Sequence, residues 1–121
     1  YPLSFNRKEI KDHGEGGNII GTDPRGDVMI IDDVLSAGTA ARESINLIKS
    51  LQANAKLFVV GLDRQEKGAG SISAKAELER DFDIVVESIV NLDALIQFSK
   101  HSEHFYAYQN QLQEYRETWG A

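Results

Sequence analysis

The segment "VMIIDDVLSAGTA", residues 28 to 40, runs from apolar residues into two adjacent carboxylates and then into a loop of small residues. Asp32 and Asp33 close the apolar run, and in open α/β sheets ligands bind in the crevice beyond the carboxyl ends of the strands. After them, Ser36 and Thr39 supply hydroxyls, Gly38 supplies backbone freedom, and the free N–H groups of a helix start suit a phosphate dianion. No "GKS" or "GKT" follows, which counts against the lysine-bearing loop of nucleoside-triphosphate hydrolases. Carboxylates repel a phosphate, but they accept hydrogen bonds from hydroxyls or face a hard cation with its waters. A sugar phosphate meets both halves of the segment. Its phosphate would sit in residues 36 to 40, and its ring hydroxyls would donate to Asp32 and Asp33 or to water on a magnesium ion. A plainer reading exists, in which two acids end a strand and Ser36 to Thr39 turn and cap a helix. The whole arrangement of strand, acid pair, small-residue loop and helix is stronger evidence than the acid pair alone.

Such residues need a scaffold that sets a strand end beside a helix start. The runs "VMIID" at 28 to 32, "KLFVVGLD" at 56 to 63 and "DIVVESIV" at 83 to 90 read as buried strands, separated by segments long enough for crossover helices. This rhythm predicts an α/β fold, a parallel sheet flanked by helices on both faces. Between the first two strands, Ala41, Ile45, Ile48 and Leu51 form an apolar stripe at helical spacing, leaving Arg42, Glu43 and Lys49 toward water. A shorter helix follows at 73 to 82, with Ser73 as its N-cap, and another at 92 to 100. Phe105, Tyr108, Leu112, Tyr115 and Trp119 mark one face of a terminal helix and read as packing. The chain is expected to form a single domain over 1–121, with a mobile β-hairpin loop region at 1–27 and the α/β core and terminal helices at 28–121.

Composition narrows the function classes. A length of 121 residues with 41% hydrophobic and 26% charged residues fits one globular domain. A net charge of -6 argues weakly against a nucleic-acid surface, though not against a local basic loop. The absence of cysteine excludes disulfides, thiolate chemistry and cysteine-based zinc sites, and fits a cytoplasmic protein. No apolar run approaches the roughly 18 to 20 residues of a membrane span. The chain opens on "YPLSFNRKE", which reads as part of something already under way, and a fragment is expected.

A basic cluster stands apart from this acidic background. Within "FNRKEIKDHGEGG", Arg7, Lys8, Lys11 and His13 crowd into seven residues, a charge pattern suited to a polyanion. Glu9, Asp12 and Glu15 offset that charge, so composition alone favours a solvated hairpin.

"VMIIDDVLSAGTA" resembles the phosphoribosyl-pyrophosphate (PRPP) motif of type I phosphoribosyltransferases. The basic string before it resembles the mobile catalytic loop of orotate phosphoribosyltransferases, and "LDRQEKG" at 62 to 68 resembles their orotate-contacting segment. The three segments stand in the family's order and span most of residues 5 to 68. The resemblance implies that Asp32 and Asp33 contact the ribose hydroxyls and that Ser36, Ala37, Gly38, Thr39 and Ala40 surround the 5-phosphate. Magnesium would be held through water near the acid pair. It implies further that Arg7, Lys8, Lys11 and His13 close over the pyrophosphate, with Lys11 or His13 as a proton donor. Arg64, with Ser36, would contact orotate, since the planar guanidinium matches a carboxylate two by two. The family's loop reaches into the neighbouring subunit, so a homodimer is implied.

The implied reaction is magnesium-dependent transfer of the phosphoribosyl group from PRPP to orotate, giving orotidine 5'-monophosphate and pyrophosphate in pyrimidine synthesis. The family's N-terminal elements, a hood over the pyrimidine, a pyrophosphate-gripping loop and a further lysine, have no counterpart here. The resemblance is to the C-terminal part alone. Alternatives are a phosphoribosyltransferase for another base and a PRPP-binding relative without turnover. A receiver module, with Asp63 as phospho-acceptor, comes from a different class but leaves the loop after Asp33 without a purpose.

Overall fold

The structure, a computed structural model, describes residues 1–6 and 19–121. Two short strands, β1 (Ser4–Asn6) and β2 (Ile19–Gly21), pair antiparallel, with Ser4 opposite Gly21. The main sheet holds β3 (Asp27–Leu35), β4 (Asn54–Asp63) and β5 (Val85–Asn91), parallel and in that order. Helix α1 (Thr39–Ser50) crosses from β3 to β4, and α2 (Ala74–Phe82) from β4 to β5. Parallel strands require such crossovers, and right-handed connections running the same way along a sheet set both helices on one face. The core shows this directly: Ala41, Ile45 and Ile48 of α1 and Ala74 and Leu78 of α2 join Phe58, Val60 and Val86 of the sheet in one buried cluster. Helix α3 (Leu92–His101), a 3-10 turn at Tyr106–Tyr108 and helix α4 (Gln109–Trp119) complete the chain.

Four details differ from the sequence reading. First, β3 runs on to Leu35, past the acid pair, because Val34 and Leu35 still find ladder partners in Leu62 and Asp63. Second, among the described residues the two crossover helices α1 and α2 share one face of the sheet, and apolar residues of the other face are exposed. Met29, Ile31, Val85 and Ile89, which alternate with the core residues along β3 and β5, are 53% to 84% exposed. Period-two alternation puts them on the opposite face from Phe58 and Val86, and α1 and α2 cannot reach there. Third, the terminal aromatic stripe is not a core. Leu112 and Tyr115 are half-buried, whereas Phe105, Tyr108 and Trp119 are more than 50% or 50% exposed, and α4 buries no residue fully. Within these elements α4 packs mainly against α3 and the 3-10 turn, which gives it too little surface to cover the whole stripe. Leu51, expected on the buried stripe of α1, falls just past the helix end and is exposed.

Leu78, fully buried, and Ile89, 84% exposed, test which face carries the stability of this chain. Leu78→Ala is expected to cost about 2–5 kcal/mol and Ile89→Ala less than about 0.5 kcal/mol in urea unfolding. Comparable losses at both positions would show that the Ile89 face is buried in solution.

Candidate active site

The sheet brings the sequence-predicted residues together by register. Leu35 pairs with Asp63, so the chain leaves β3 and β4 side by side at the carboxyl edge of the sheet. The contact continues one residue further, where the Arg64 N–H donates to the Leu35 carbonyl at 3.0 Å. Ser36 and Arg64, 28 positions apart in sequence, therefore start adjacent loops. Arg64 presents a side chain 45% exposed.

Asp32 and Asp33 lie within β3 and leave it on opposite sides, Asp32 half-buried and Asp33 exposed. Each uses one oxygen locally: Asp32 Oδ1 accepts the Asp33 N–H at 2.9 Å, and Asp33 Oδ1 accepts the Val34 N–H at 2.7 Å. These bonds fix the carboxyl groups, and among the described residues their second oxygens accept no hydrogen bond. Gly61 explains how β4 runs so close beside them, since a Cβ there would stand 2.9 Å from the Asp33 carbonyl oxygen.

The loop after β3 is an open helix start. Ser36, Ala37, Thr39 and Ala40 are exposed, and Gly38 is buried at the N-cap of α1. Among the described residues no side chain caps this helix, and no acid stands in its first turn, so its leading N–H groups and the positive end of its dipole are left for an anion. Gly38 has φ of 89°, in the left-handed region that favours glycine, while a Cβ there would make only an ordinary contact with the Ala74 Cβ at 3.4 Å.

The loop from β4 to α2 is held from inside by Glu77. This acid is buried, and its carboxylate accepts the N–H groups of Ala69 at 2.9 Å and Gly70 at 2.7 Å. A Cβ at Gly68 would land on the same carboxylate. Arg42 of α1 reaches Glu77 at 3.3 Å and Asp81 at 2.7 Å and stacks over Phe82, so it is a bridging residue rather than the solvated one its helix position suggests. Lys49 is exposed, as its helix position suggests, with its ammonium 4.8 Å from the Phe82 ring centre. The amides of Ala69 and Gly70, then Arg42, hold the Glu77 carboxyl below its ordinary value against the opposing effect of burial. Arg80 and Arg42 draw Asp81 down to about 2. A cleft of about 640 Å³ beside this network is bounded by Arg42, Ser71, Arg80 and Asp81. Both of its arginines are paired with Asp81.

The other side of that loop is fastened to the C-terminal elements. Gln65 adopts φ of 54°, its N–H donates to the buried Asp63 at 2.8 Å, and its side-chain amide exchanges two hydrogen bonds with Asp93. Asp63 is 6% exposed and engaged in that turn, which removes it as a phospho-acceptor. The proposed pyrophosphate residues Arg7, Lys8, Lys11 and His13 lie outside the described residues, between β1 and β2.

Among the described residues, no three acids or histidines cluster as a metal cage. The acid pair, with one oxygen each left over, fits a magnesium ion that keeps its waters, the usual habit of that hard cation.

Three parallel strands, two crossover helices on one face and an uncapped helix start behind an acid pair make up part of the type I phosphoribosyltransferase core. No model of a known protein family matches the chain. Over 119 residues it is 48% identical to the orotate phosphoribosyltransferase of Actinobacillus pleuropneumoniae serotype 5b and 50% identical to that of Proteus mirabilis. In each case 98% of this chain and 56% of the relative are covered. The solved orotate phosphoribosyltransferase of Francisella tularensis superposes with a TM-score of 0.72 at 34% identity, over 99% of this chain and 56% of that one. That of Aeropyrum pernix gives 0.64 at 27% identity, over 84% and 53%. The chain is homologous to orotate phosphoribosyltransferases and corresponds to the C-terminal part of such a protein. It spans about half the length of the relatives it matches.

The sequence reading missed Glu77, Glu66 and Tyr115. Glu77 was findable: it shares the buried face of α2 with Ala74 and Leu78, and an acid on a core face needs partners. Folded values below the ordinary carboxylate range mean that Glu77 and Asp81 stabilise fully above that range and lose this contribution as pH falls through the folded values. The thermal midpoint is expected to drop between pH of about 4 and about 2, and a Glu77→Gln, Asp81→Asn variant to show a shallower drop. Parallel curves for the two proteins would rule the network out as a source of acid sensitivity.

Proposed function

We propose that this chain supplies the PRPP- and orotate-binding part of an orotate phosphoribosyltransferase, a magnesium-dependent pentosyltransferase of pyrimidine nucleotide synthesis. The observation that carries the reading is the Leu35–Asp63 register with the Arg64-to-Leu35 hydrogen bond, which sets a carboxylate-reading arginine beside a phosphate-sized loop. The 48% and 50% identical relatives bear the name of that enzyme.

In this reading the 5-phosphate of PRPP rests on the open N-terminus of α1, between Ser36 and Ala40, where N–H groups and the helix dipole meet a dianion. Asp32 and Asp33 accept from the ribose hydroxyls through their second oxygens. Arg64 grips the orotate carboxylate and, with Ser36, orients the ring nitrogen toward the anomeric carbon. The bond from that carbon to pyrophosphate breaks as the carbon–nitrogen bond forms, through an oxocarbenium-like state of the kind met in glycoside cleavage. Bound magnesium would neutralise part of the pyrophosphate charge. Arg7, Lys8, Lys11 and His13 would stabilise the rest, with Lys11 or His13 donating a proton to the leaving group. A homodimer with the basic loop of Arg7, Lys8, Lys11 and His13 shared between subunits, and a cytoplasmic location, belong to the same proposal. Coverage of 56% of the relatives supports a second reading for this chain alone, binding without turnover.

Calorimetric titration of the 121-residue chain with magnesium and PRPP tests the site without requiring turnover. Heat of binding that vanishes in an Asp32→Asn, Asp33→Asn variant is the expected result. A folded chain that gives no heat would refute a self-sufficient sugar-phosphate site. In the full-length protein, Lys11→Ala is expected to lower kcat by about 100-fold or more with little change in PRPP affinity, the mark of an interaction made in the transition state. Equal losses in both would exclude a leaving-group role.

A further inference from the structure

Arg64 has a fixed neighbour. Its guanidinium stands 3.7 Å from Glu66, whose side chain is only 12% exposed. The same Glu66 oxygen accepts the phenol of Tyr115, which comes from α4. Burial, then the bond to Glu66, pushes the Tyr115 phenol above its ordinary value, against the opposing pull of Arg64 beside it. The backbone repeats the connection: Lys67 N–H donates to the Trp119 carbonyl at 3.0 Å, and Ala121 N–H to the Gln65 carbonyl at 3.0 Å. Arg116 of α4 also pairs with Asp93, the partner of Gln65. The segment carrying Arg64 is thus fastened to the last turns of α4, some fifty positions later in the chain.

We propose that Glu66, held by Tyr115, is a positioning residue that sets the Arg64 guanidinium for recognition of a planar, carboxylate-bearing base. This deepens the orotate reading of Arg64 and rests on it. A direct charge-assisted bond would be about 2.8 Å long, so at 3.7 Å Glu66 attracts the Arg64 guanidinium without closing a direct hydrogen bond to it. Glu66 orients the fork and leaves its donors for the substrate. An arginine already held loses less rotamer freedom on binding than a free one, which favours the bound state. Tyr115 keeps Glu66 from swinging in to close a bidentate pair with Arg64 that would block the site.

Steady-state kinetics of the full-length protein, varying orotate and PRPP separately, test this with Arg64→Ala, Glu66→Gln, Tyr115→Phe and the Arg64→Ala, Glu66→Gln double variant. Glu66→Gln is expected to raise the KM for orotate about tenfold at unchanged KM for PRPP. Tyr115→Phe should act in the same direction by less. In the Arg64→Ala background Glu66→Gln should add nothing, because its partner is gone. Equal rises in both KM values, no rise at all, or an undiminished rise without Arg64 would each overturn the proposal. If Arg64→Ala itself leaves the orotate KM unchanged, the substrate assignment of Arg64 has failed and the positioning role with it. Should Glu66→Gln not fold, the same cycle is run with Tyr115→Phe, which removes a single hydroxyl.

Discussion

One hydrogen bond past the end of the ladder, from the Arg64 amide to the Leu35 carbonyl, governs the geometry of the site. Parallel strands place their carboxyl ends on one edge, but they do not by themselves decide how the outgoing loops are spaced. Here the Leu35–Asp63 pairing and this further bond zip the two exits together, so the loop of small residues and the arginine begin within one peptide of each other's partner. Everything the site is proposed to do, holding an anion at a helix start while reading a carboxylate beside it, depends on that spacing.

A second constraint is electrostatic. Glu77 is buried on α2, where an unsatisfied carboxylate would be costly, and two backbone amides and Arg42 satisfy it. The arrangement uses a buried charge as a peg: the loop from Arg64 to Ile72 has little apolar surface, so it is ordered by amides converging on one acid. Gly68 must lack a side chain for the peg to fit. Helix α1, which offers the phosphate-sized cradle, is tied to the same peg through Arg42, so the two loops of the site share one anchor.

Much of this was legible in the amino-acid string. Apolar runs at 28, 56 and 83 announce three strands, and the small residues from Ser36 to Ala40 announce a turn into a helix, because backbone sterics and burial act locally and leave period and composition as their trace. Ser73 as an N-cap was visible for the same reason and is found accepting the Ala76 N–H. The extension of β3 to Leu35 was not, since it depends on a partner strand that local sequence does not contain. Nor was the bare face of Met29 and Ile31: alternation along β3 says that two faces exist, not which one α1 and α2 will cover. Tyr115 read as packing because its spacing in the aromatic stripe is real, while its hydroxyl's partner, Glu66, lies 49 positions away.

Gln65 has a consequence for how this position can vary. Its left-handed backbone, φ of 54°, costs a side-chain-bearing residue about 1–2 kcal/mol that glycine would not incur. Glycine would relax the turn and at the same stroke delete both hydrogen bonds to Asp93, uncoupling α3 from the arginine loop. Drift at this position is therefore held between two opposed demands, backbone ease favouring glycine or asparagine and cross-loop pairing favouring a long amide. In this chain the cross-loop pairing with Asp93 is kept at the expense of backbone ease.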